Sequence, residues 1–222
     1  MLELINISKR YKDKWVLKDI YMKLNEERCV GILGVNGSGK TTLLSILAGV
    51  LKPNSGKVMY SDVDLLKNQT LRRKLIAYIP QKSPLIEELN ALDNLKLWYD
   101  KEELKKEISS GVISLLGVDE FLKKPVSALS MGMKKRLSIA CAVASKPKIL
   151  LMDEPSAYLD IICKADIHRY ISEHKRQGGS IILVSHDVGD FGICDEHYVL
   201  KAGILNPFEY KDNVDELIKI IG

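Results

Sequence analysis

Residues 34–41 of the sequence read Gly34-Val35-Asn36-Gly37-Ser38-Gly39-Lys40-Thr41. They match the phosphate-loop pattern G-x-x-x-x-G-K-[ST] in full, between an apolar stretch predicted as a strand and a predicted helix, Lys40–Ala48. Glycines let backbone N–H groups approach an anion, and the helix N-terminus adds a partial positive charge. The alternative is a glycine-rich turn before a helix, but the complete match favours a nucleotide phosphate site.

Individual roles within this loop follow from the same chemistry. Lys40 is expected to reach the β- and γ-phosphates, the Thr41 hydroxyl to ligate Mg²⁺, and Thr42 to meet the α-phosphate. The remaining predicted nucleotide contacts in the loop are Gly34, Asn36, Gly37, Ser38 and Gly39. The loop therefore predicts a nucleoside triphosphate bound together with magnesium.

Two carboxylates follow a second apolar stretch, Ile149–Met152. Asp153 at the end of this predicted strand could complete the Mg²⁺ shell, and Glu154 lies where a base could polarise an attacking water. An Asp-Glu pair could also be two exposed residues in the turn before Pro155. Downstream of a complete phosphate loop, the pair favours a metal ligand and a general base.

The composition limits the classes of partner. The 222-residue chain is 46% hydrophobic and 28% charged, as in ordinary globular proteins. Its 33 Lys and Arg against 29 Asp and Glu give a net charge of +4, a surplus too small to indicate nucleic acid binding. The four cysteines form no C-x-x-C pair, so we interpret them as packing residues.

The pattern of apolar stretches predicts an α/β fold. Continuous apolar strands alternating with helices favour a mostly parallel sheet covered on both faces. Leu2–Ile7 and Trp15–Leu24 instead look like an N-terminal antiparallel pair. Helices are predicted at Lys101–Leu116, at the basic stretch Lys134–Ser145 and at Asp212–Ile221. We expect one domain over residues 1–222, with a phosphate-loop NTPase core at about 1–81 and 141–222. Residues 82–140 would form a helical insertion subdomain.

Four further motifs identify a type of phosphate-loop NTPase. In chain order they are Gln81 after the predicted strand Leu75–Ile79, the segment Leu129-Ser130-Met131-Gly132-Met133, the segment Ser156-Ala157-Tyr158-Leu159-Asp160, and Ser185-His186-Asp187. This ordered set resembles the nucleotide-binding domain of ATP-binding cassette (ABC) proteins, over essentially the whole chain. The resemblance implies a RecA-like core, and below we call residues 129–133 the signature turn.

The resemblance implies roles for several residues around the nucleotide. Tyr11 resembles the aromatic residue that stacks on adenine, and Gln81 the switch-loop glutamine that contacts Mg²⁺ and water. His186 resembles the histidine that contacts the γ-phosphate and braces Glu154. Three other histidines match no motif and are interpreted as solvated or packed: His168, His174 and His197.

The resemblance also implies a site shared between two chains. Ser130 and Gly132 of the signature turn would act on ATP bound to the other subunit, and Asp160 would cross the interface. Two departures from the family pattern concern this face. Met131 and Met133 replace a Gly and a Gln of Leu-Ser-Gly-Gly-Gln, and a Cβ at position 131 disfavours positive φ. Tyr158 stands where the family usually has Gly or Ala.

The implied function is that of the ATP-binding and ATP-hydrolysing subunit of a transporter, with ATP and Mg²⁺ as cofactors. Export is favoured by the Met131 and Met133 variant alone. Expected partners are a transmembrane permease and a second cassette in a homodimer or heterodimer, with no nucleic acid. The chain would lie in the cytoplasm, peripheral on the inner face of the cell membrane. Segment Lys82–Leu97 is either a permease-docking groove or helical core.

Two other functions stay open at the level of the sequence. One is an ABC-type ATPase that acts without a membrane partner and remodels a protein or nucleic acid assembly. The other is a nucleotide-binding module without useful turnover.

Overall fold

The computed structural model describes residues 1–211, 213, 217, 219 and 220, so the predicted helix Asp212–Ile221 lies largely outside the described residues. The strands are β1 Leu2–Tyr11, β2 Lys14–Leu24, β3 Cys29–Leu33, β4 Ser55–Tyr60, β5 Val63–Asp64, β6 Ile76–Ile79, β7 Ile149–Asp153, β8 Ser180–Val184, β9 Glu196–Lys201 and β10 Ile204–Pro207. The α-helices are α1 Lys40–Ala48, α2 Gln69–Leu75, α3 Ala91–Lys96, α4 Lys101–Ser110, α5 Val112–Leu115, α6 Met131–Ala142, α7 Ile161–Arg176 and α8 Val188–Phe191.

The larger sheet has the strand order β10-β9-β3-β8-β7-β6. All its neighbouring strands pair in parallel except β9 and β10, which are antiparallel. Val184 on β8 is in register with Ile32 on β3 and with Asp153 on β7. The carboxyl ends of these three strands therefore finish level with one another, and the loops that follow them leave the sheet at one edge.

Both faces of this sheet are covered. Along β7, Leu150 and Met152 pack into an apolar cluster with Leu137 of α6 and Ile167 of α7. Leu151, which points to the other face, packs into a second cluster with residues of β1 and α1. Complete burial of each such leucine stabilises the fold by about 1.5–3 kcal/mol. This is the covered, mostly parallel sheet that the continuous apolar strands predict.

The second sheet is antiparallel, with the order β2-β1-β4-β5. Tyr11 pairs with Lys14 at the end of the first hairpin, so only Lys12 and Asp13 connect β1 to β2. The predicted N-terminal antiparallel pair is thus present and is extended by β4 and β5.

Some boundaries differ from the sequence predictions for local reasons. The helix predicted over Lys101–Leu116 is divided by Gly111 into α4 and α5. Residues 69–75 form the unpredicted helix α2, capped by Asn68, so β6 begins at Ile76 instead of Leu75. The division of the chain at residues 82–140 stays a prediction.

The signature turn is the start of a helix. The Ser130 Oγ accepts a hydrogen bond from the Met133 backbone N–H at 3.2 Å, so α6 begins at Met131, three residues earlier than predicted. Met131 is helical, so the backbone at this position does not need the positive φ that a Cβ disfavours. Gly132 is needed for packing, because a Cβ there would lie 2.4 Å from the Cys163 Sγ of α7.

This close approach of α6 and α7 gives a stability prediction. Alanine in place of a helical glycine stabilises a helix by about 1 kcal/mol, whereas overpacking costs about 1–3 kcal/mol. We expect Gly132→Ala to lower the free energy of unfolding by about 1 kcal/mol in the wild-type chain, from these two opposing terms. In a Cys163→Ala background the Sγ is absent and the nearest atom is the Cβ of residue 163 at 3.2 Å, so the same change should cost less. Urea denaturation of the four proteins measures this difference, and an equal loss in both backgrounds would contradict the packing argument.

Candidate active site

The carboxyl ends of β3, β6, β7 and β8 border a cleft of about 420 Å³. Its lining includes these predicted site residues: Asn36, Gly37, Gly39, Lys40, Thr41, Thr42, Gln81, Asp153, Glu154 and His186. Val16 and Tyr158 also line it. A larger cleft of about 750 Å³ lies beside Tyr170 and His174 and is lined by none of the predicted residues. The predicted chemistry is therefore concentrated in the smaller cleft.

The phosphate loop takes a shape that depends on its glycines. Gly39 caps α1 with a φ of +110°, and a Cβ there would lie 2.9 Å from the Val16 Cγ1. A Cβ at Gly34 would lie 2.6 Å from the Leu200 carbonyl oxygen. The Ser38 Oγ is buried and has no hydrogen-bond partner within the described ranges of the chain. The backbone thus curls tightly ahead of α1, as the motif predicts for an anion cradle.

Lys40, the first residue of α1, is buried against its own loop. Its Nζ donates to the Gly34 carbonyl at 2.6 Å and to the Val35 carbonyl at 3.2 Å. Burial lowers the pKa of the Lys40 ammonium, and the nearby Glu154 and Asp153 carboxylates oppose this shift. Its hydrogen-bond partners among the residues that the structure describes are these two neutral carbonyls, so an anionic phosphate would be a stronger acceptor for this ammonium.

Asp153 is 2% exposed at the end of β7. The Tyr78 hydroxyl on the neighbouring strand β6 donates to the Asp153 Oδ2 at 3.2 Å. Burial, followed by the Asp153 charge, raises the pKa of Tyr78 to about 12, which keeps the phenol a neutral donor. Sequence reasoning missed Tyr78, because a tyrosine inside a strand carries no motif.

Glu154 and His186 form a direct pair. The His186 Nδ1 and the Glu154 Oε1 lie 2.8 Å apart, while the Glu154 Oε2 is buried and has no hydrogen-bond partner among the described residues. The two residues follow the adjacent strands β7 and β8, and the Glu154 N–H donates to the Val184 carbonyl at 2.9 Å. The expectation from sequence that Glu154 and His186 meet agrees with this geometry, although their chemical roles stay predictions.

The backbone of Glu154 is held in an unusual conformation. Its φ of +48° lies in the left-handed region, which costs a residue other than glycine about 1–2 kcal/mol. Such outliers concentrate at functional sites, where surrounding contacts enforce them. Tyr158 also has positive φ, +61°, and its side chain is 80% exposed. A glycine at position 158 would adopt this conformation without the strain that a Cβ adds.

Gln81 follows β6, and its loop is attached to α6 by a buried lysine. Lys135 is 5% exposed, and its Nζ donates to the Pro80 carbonyl at 2.9 Å and to the Gln81 carbonyl at 3.0 Å. Burial lowers the pKa of Lys135 to about 8, against the opposing charges of Asp153 and Glu154. Sequence reasoning assigned Lys135 only to a basic helix, because nothing along the chain indicates its distant carbonyl partners.

The cleft offers oxygen ligands suited to magnesium. The Thr41 hydroxyl, the Gln81 side-chain amide and the Asp153 carboxylate all belong to its lining. Among the described residues, no group of three or more His, Cys, Asp or Glu side chains could hold a metal ion. Mg²⁺ commonly uses one or two carboxylates together with substrate phosphates and water. The residues present therefore fit an ion that arrives with a nucleotide.

Five predicted site residues lie outside the lining of this cleft: Gly34 and Ser38 of the phosphate loop, and Tyr11, Ser130 and Gly132. Tyr11 is 45% exposed at the end of β1, beside the Lys9 ammonium. Ser130 caps α6, and Asp160 caps α7 by accepting from the Cys163 N–H at 2.8 Å. The position of Ser130 outside the cleft agrees with the prediction that it acts on ATP bound to a neighbouring chain. The predicted stacking of Tyr11 on adenine stays a prediction.

Comparison with known proteins decides the family. The family model for "ABC transporter" matches residues 17–157, which is more than half of the chain and includes the phosphate loop, the signature turn and the Asp153-Glu154 pair. The chain belongs to the ABC transporter family. It is a nucleotide-binding cassette of that family, so the predicted family and fold class are confirmed.

Individual ABC relatives transport in both directions. The spermidine/putrescine import ATP-binding protein PotA of Mesoplasma florum is 36% identical over 209 residues, covering 91% of this chain and 59% of PotA. The lipopolysaccharide export system ATP-binding protein LptB of Haemophilus influenzae is 30% identical over 206 residues, covering 89% of this chain and 86% of LptB. The chain thus spans well under two thirds of the length of PotA.

A solved ABC cassette has the same fold. The dimeric post-hydrolysis state of the cassette MJ0796 bound to ADP and Pi superposes with a TM-score of 0.83 at 27% identity, covering 95% of this chain and 100% of that chain. The similarity extends across both sheets and the helices of this ABC cassette.

The low pKa of Lys135 gives a prediction on pH. Because the pKa is about 8 in the folded protein and 10.5 in the unfolded chain, the unfolded chain binds more protons between these values. The free energy of unfolding should therefore rise with pH in this window. Relative to Lys135→Met, the wild-type chain should gain roughly 1–2 kcal/mol between about pH 7.5 and 9.5.

Urea denaturation at both pH values measures the effect. Lys134→Met is the matched control, since the neighbouring Lys134 forms a surface ion pair with Glu87. Identical pH dependence in the wild type and in Lys135→Met would show that Lys135 is not a perturbed buried ammonium.

Proposed function

We propose that this ABC cassette binds ATP with Mg²⁺, hydrolyses it with Glu154 as general base, and powers transport through a transmembrane partner. The observation that carries the proposal is the state of the Glu154 carboxylate. Glu154 lines the cleft, and one of its oxygens lies 2.8 Å from the His186 Nδ1. The other oxygen is buried and has no hydrogen-bond partner in the part of the chain that the structure describes. A carboxylate oriented through one oxygen has the other available to accept a proton from water.

The other cleft residues serve the same reaction. Lys40 would exchange its loop carbonyls for phosphate oxygens, and the open backbone around Gly37 leaves room for them, since a Cβ there would meet nothing within 4 Å. Thr41, Gln81 and Asp153 would hold Mg²⁺, which supplies charge neutralisation at the phosphates. Phosphoryl transfer depends mainly on such positioning and charge stabilisation, and little on covalent catalysis.

A second cassette would complete the site. Several apolar side chains near the signature turn and the start of α7 are exposed. The exposed fractions are 61% for Met131, 80% for Tyr158, 85% for Ile161 and 75% for Ile162. Exposed apolar groups in one region favour contact with another protein surface. Ser130 and Asp160 belong to the same two segments, and the dimeric state of MJ0796 supports pairing of two cassettes.

A different surface suits a transmembrane partner. In the segment after Gln81, Leu95 is fully buried, but Ile86, Leu97 and Trp98 are 43%, 57% and 63% exposed. Part of Lys82–Leu97 is therefore buried core, and the exposed side chains in and next to it support the docking alternative. Among the described residues, no helix is long and apolar enough to cross a membrane. We propose that these exposed side chains dock to a permease at the inner face of the membrane.

The direction of transport is a separate matter. The PotA relative is an import protein and the LptB relative an export protein, so similarity favours neither direction. Export stays a prediction from Met131 and Met133.

Capture of the tagged chain from detergent-solubilised membranes distinguishes a transport ATPase from a remodelling ATPase. A co-purified membrane protein supports the proposed transport function, and a partner retained only from the soluble fraction contradicts it.

The assignment of Glu154 is tested by Glu154→Gln. This variant should bind ATP normally and hydrolyse it at least about 100-fold more slowly, because general-base catalysis contributes about 10²–10⁴. It should also accumulate an ATP-dependent dimer in size-exclusion chromatography. Turnover at the wild-type rate in Glu154→Gln would exclude Glu154 as the base.

Lys40→Ala should instead lose most ATP binding.

The shared site is tested by mixing two inactive variants. Ser130→Ala should lose turnover while keeping its own phosphate loop, and Lys40→Ala should keep its signature turn. In a verified mixed dimer, one of the two composite sites contains neither substitution, so about half of the per-dimer turnover should return if the sites act independently. Each variant alone is the control. No recovery in verified mixed dimers would argue against a site formed by two chains.

A further inference from the structure

A completely buried carboxylate lies behind the candidate active site. Asp190 of α8 is 0% exposed, and three side chains from different elements surround it. Its Oδ1 accepts from the Ser156 Oγ at 2.6 Å and contacts the His168 Nε2 at 2.8 Å, while its Oδ2 accepts from the Ser185 Oγ at 2.7 Å. Because a carboxylate oxygen is an acceptor, we assign the Nε2–H tautomer to His168, which makes this nitrogen the donor.

Two of these partners are connected directly to the proposed catalytic pair. Ser156 follows Glu154 after a single intervening residue, Pro155, and Ser185 immediately precedes His186. Hydrogen bonds from both serines to Asp190, together with the Glu154–His186 contact, close a ring of interactions. Because these contacts form a closed ring, they limit the distance between the side chains of Glu154 and His186.

The pair needs such support. The Glu154 backbone has positive φ, a conformation that persists only when neighbouring contacts enforce it. The His186 side chain is 54% exposed, so packing restrains it weakly. Asp190 is itself fixed, because its neighbour Phe191 is fully buried in an apolar cluster.

We propose that Asp190 is a positioning residue for ATP hydrolysis, which holds the loops of Glu154 and His186 at the separation that their contact requires. The inference rests on the proposed function. Asp190 does not line the cleft and is not expected to touch the nucleotide. Substitution of Asp190 should therefore reduce kcat and leave ATP affinity unchanged. Substitution of a residue with a merely structural role would change kcat and affinity together, or would change thermal stability alone.

The experiment uses the full chain and compares four variants with the wild type. Asp190→Asn keeps the shape of the side chain but cannot accept from all three donors. Ser156→Ala and Ser185→Ala each open the ring at one bond. Lys164→Met is the matched control, because Lys164 links α7 to Asp187 near the same loop without belonging to the ring. Steady-state and single-turnover ATP hydrolysis give kcat, titration with ATP gives Kd, and thermal unfolding gives Tm.

We expect Asp190→Asn to lower kcat at least tenfold with Kd within twofold, each serine variant to lower kcat severalfold, and Lys164→Met to stay within twofold. A crystal structure of Asp190→Asn should show Glu154 separated from His186.

If Asp190→Asn does not fold, the kcat and Kd values of the two serine variants test the inference. Wild-type kcat in the folded variants, parallel losses of kcat and ATP affinity, or an unchanged Glu154–His186 contact would each overturn the inference. Absence of hydrolysis by the wild-type chain itself would instead reject the proposed function.

Discussion

The parallel pairing of β3, β7 and β8 is the constraint on which the rest of this cassette depends. Its register places Ile32, Asp153 and Val184 side by side, so the next residues of each strand emerge at one edge of the sheet. Burial of both sheet faces in two apolar clusters keeps that register from slipping. The packing of the core therefore positions the backbones of the polar cleft residues. Attraction between their side chains is not needed to bring them together.

The sequence predicted those parts of the site that are continuous in the chain. The phosphate loop and the Asp153-Glu154 pair carry local patterns tied to a strand, and the resemblance to ABC proteins supplied Gln81 and His186. Contacts between distant segments were not predictable in this way. Lys135 meets carbonyls 54 and 55 positions away, and Tyr78 meets Asp153 at a separation of 75. Such partners become visible only when the sheet and α6 are packed together.

Helix boundaries show a related limit. Ser130 was assigned to a loop by its motif, although a serine before a helix is a common cap, and its hydroxyl does begin α6. The departure at Met131 consequently matters less to the backbone than the family pattern suggests. The departure at Tyr158 matters more, because a large aromatic ring is held with positive φ on an exposed surface.

The attachment of the Gln81 loop to α6 has a mechanical consequence. Ser130, which we propose acts on the ATP of a second cassette, caps one end of α6. In the second turn of this helix, the Lys135 ammonium donates to two carbonyls of the chain that leads away from β6. A helix transmits displacement along its axis with little deformation. Motion of a membrane-embedded partner that shifts the segment after β6 would thus be conveyed, through one ammonium group, to the distance between the two halves of the ATPase.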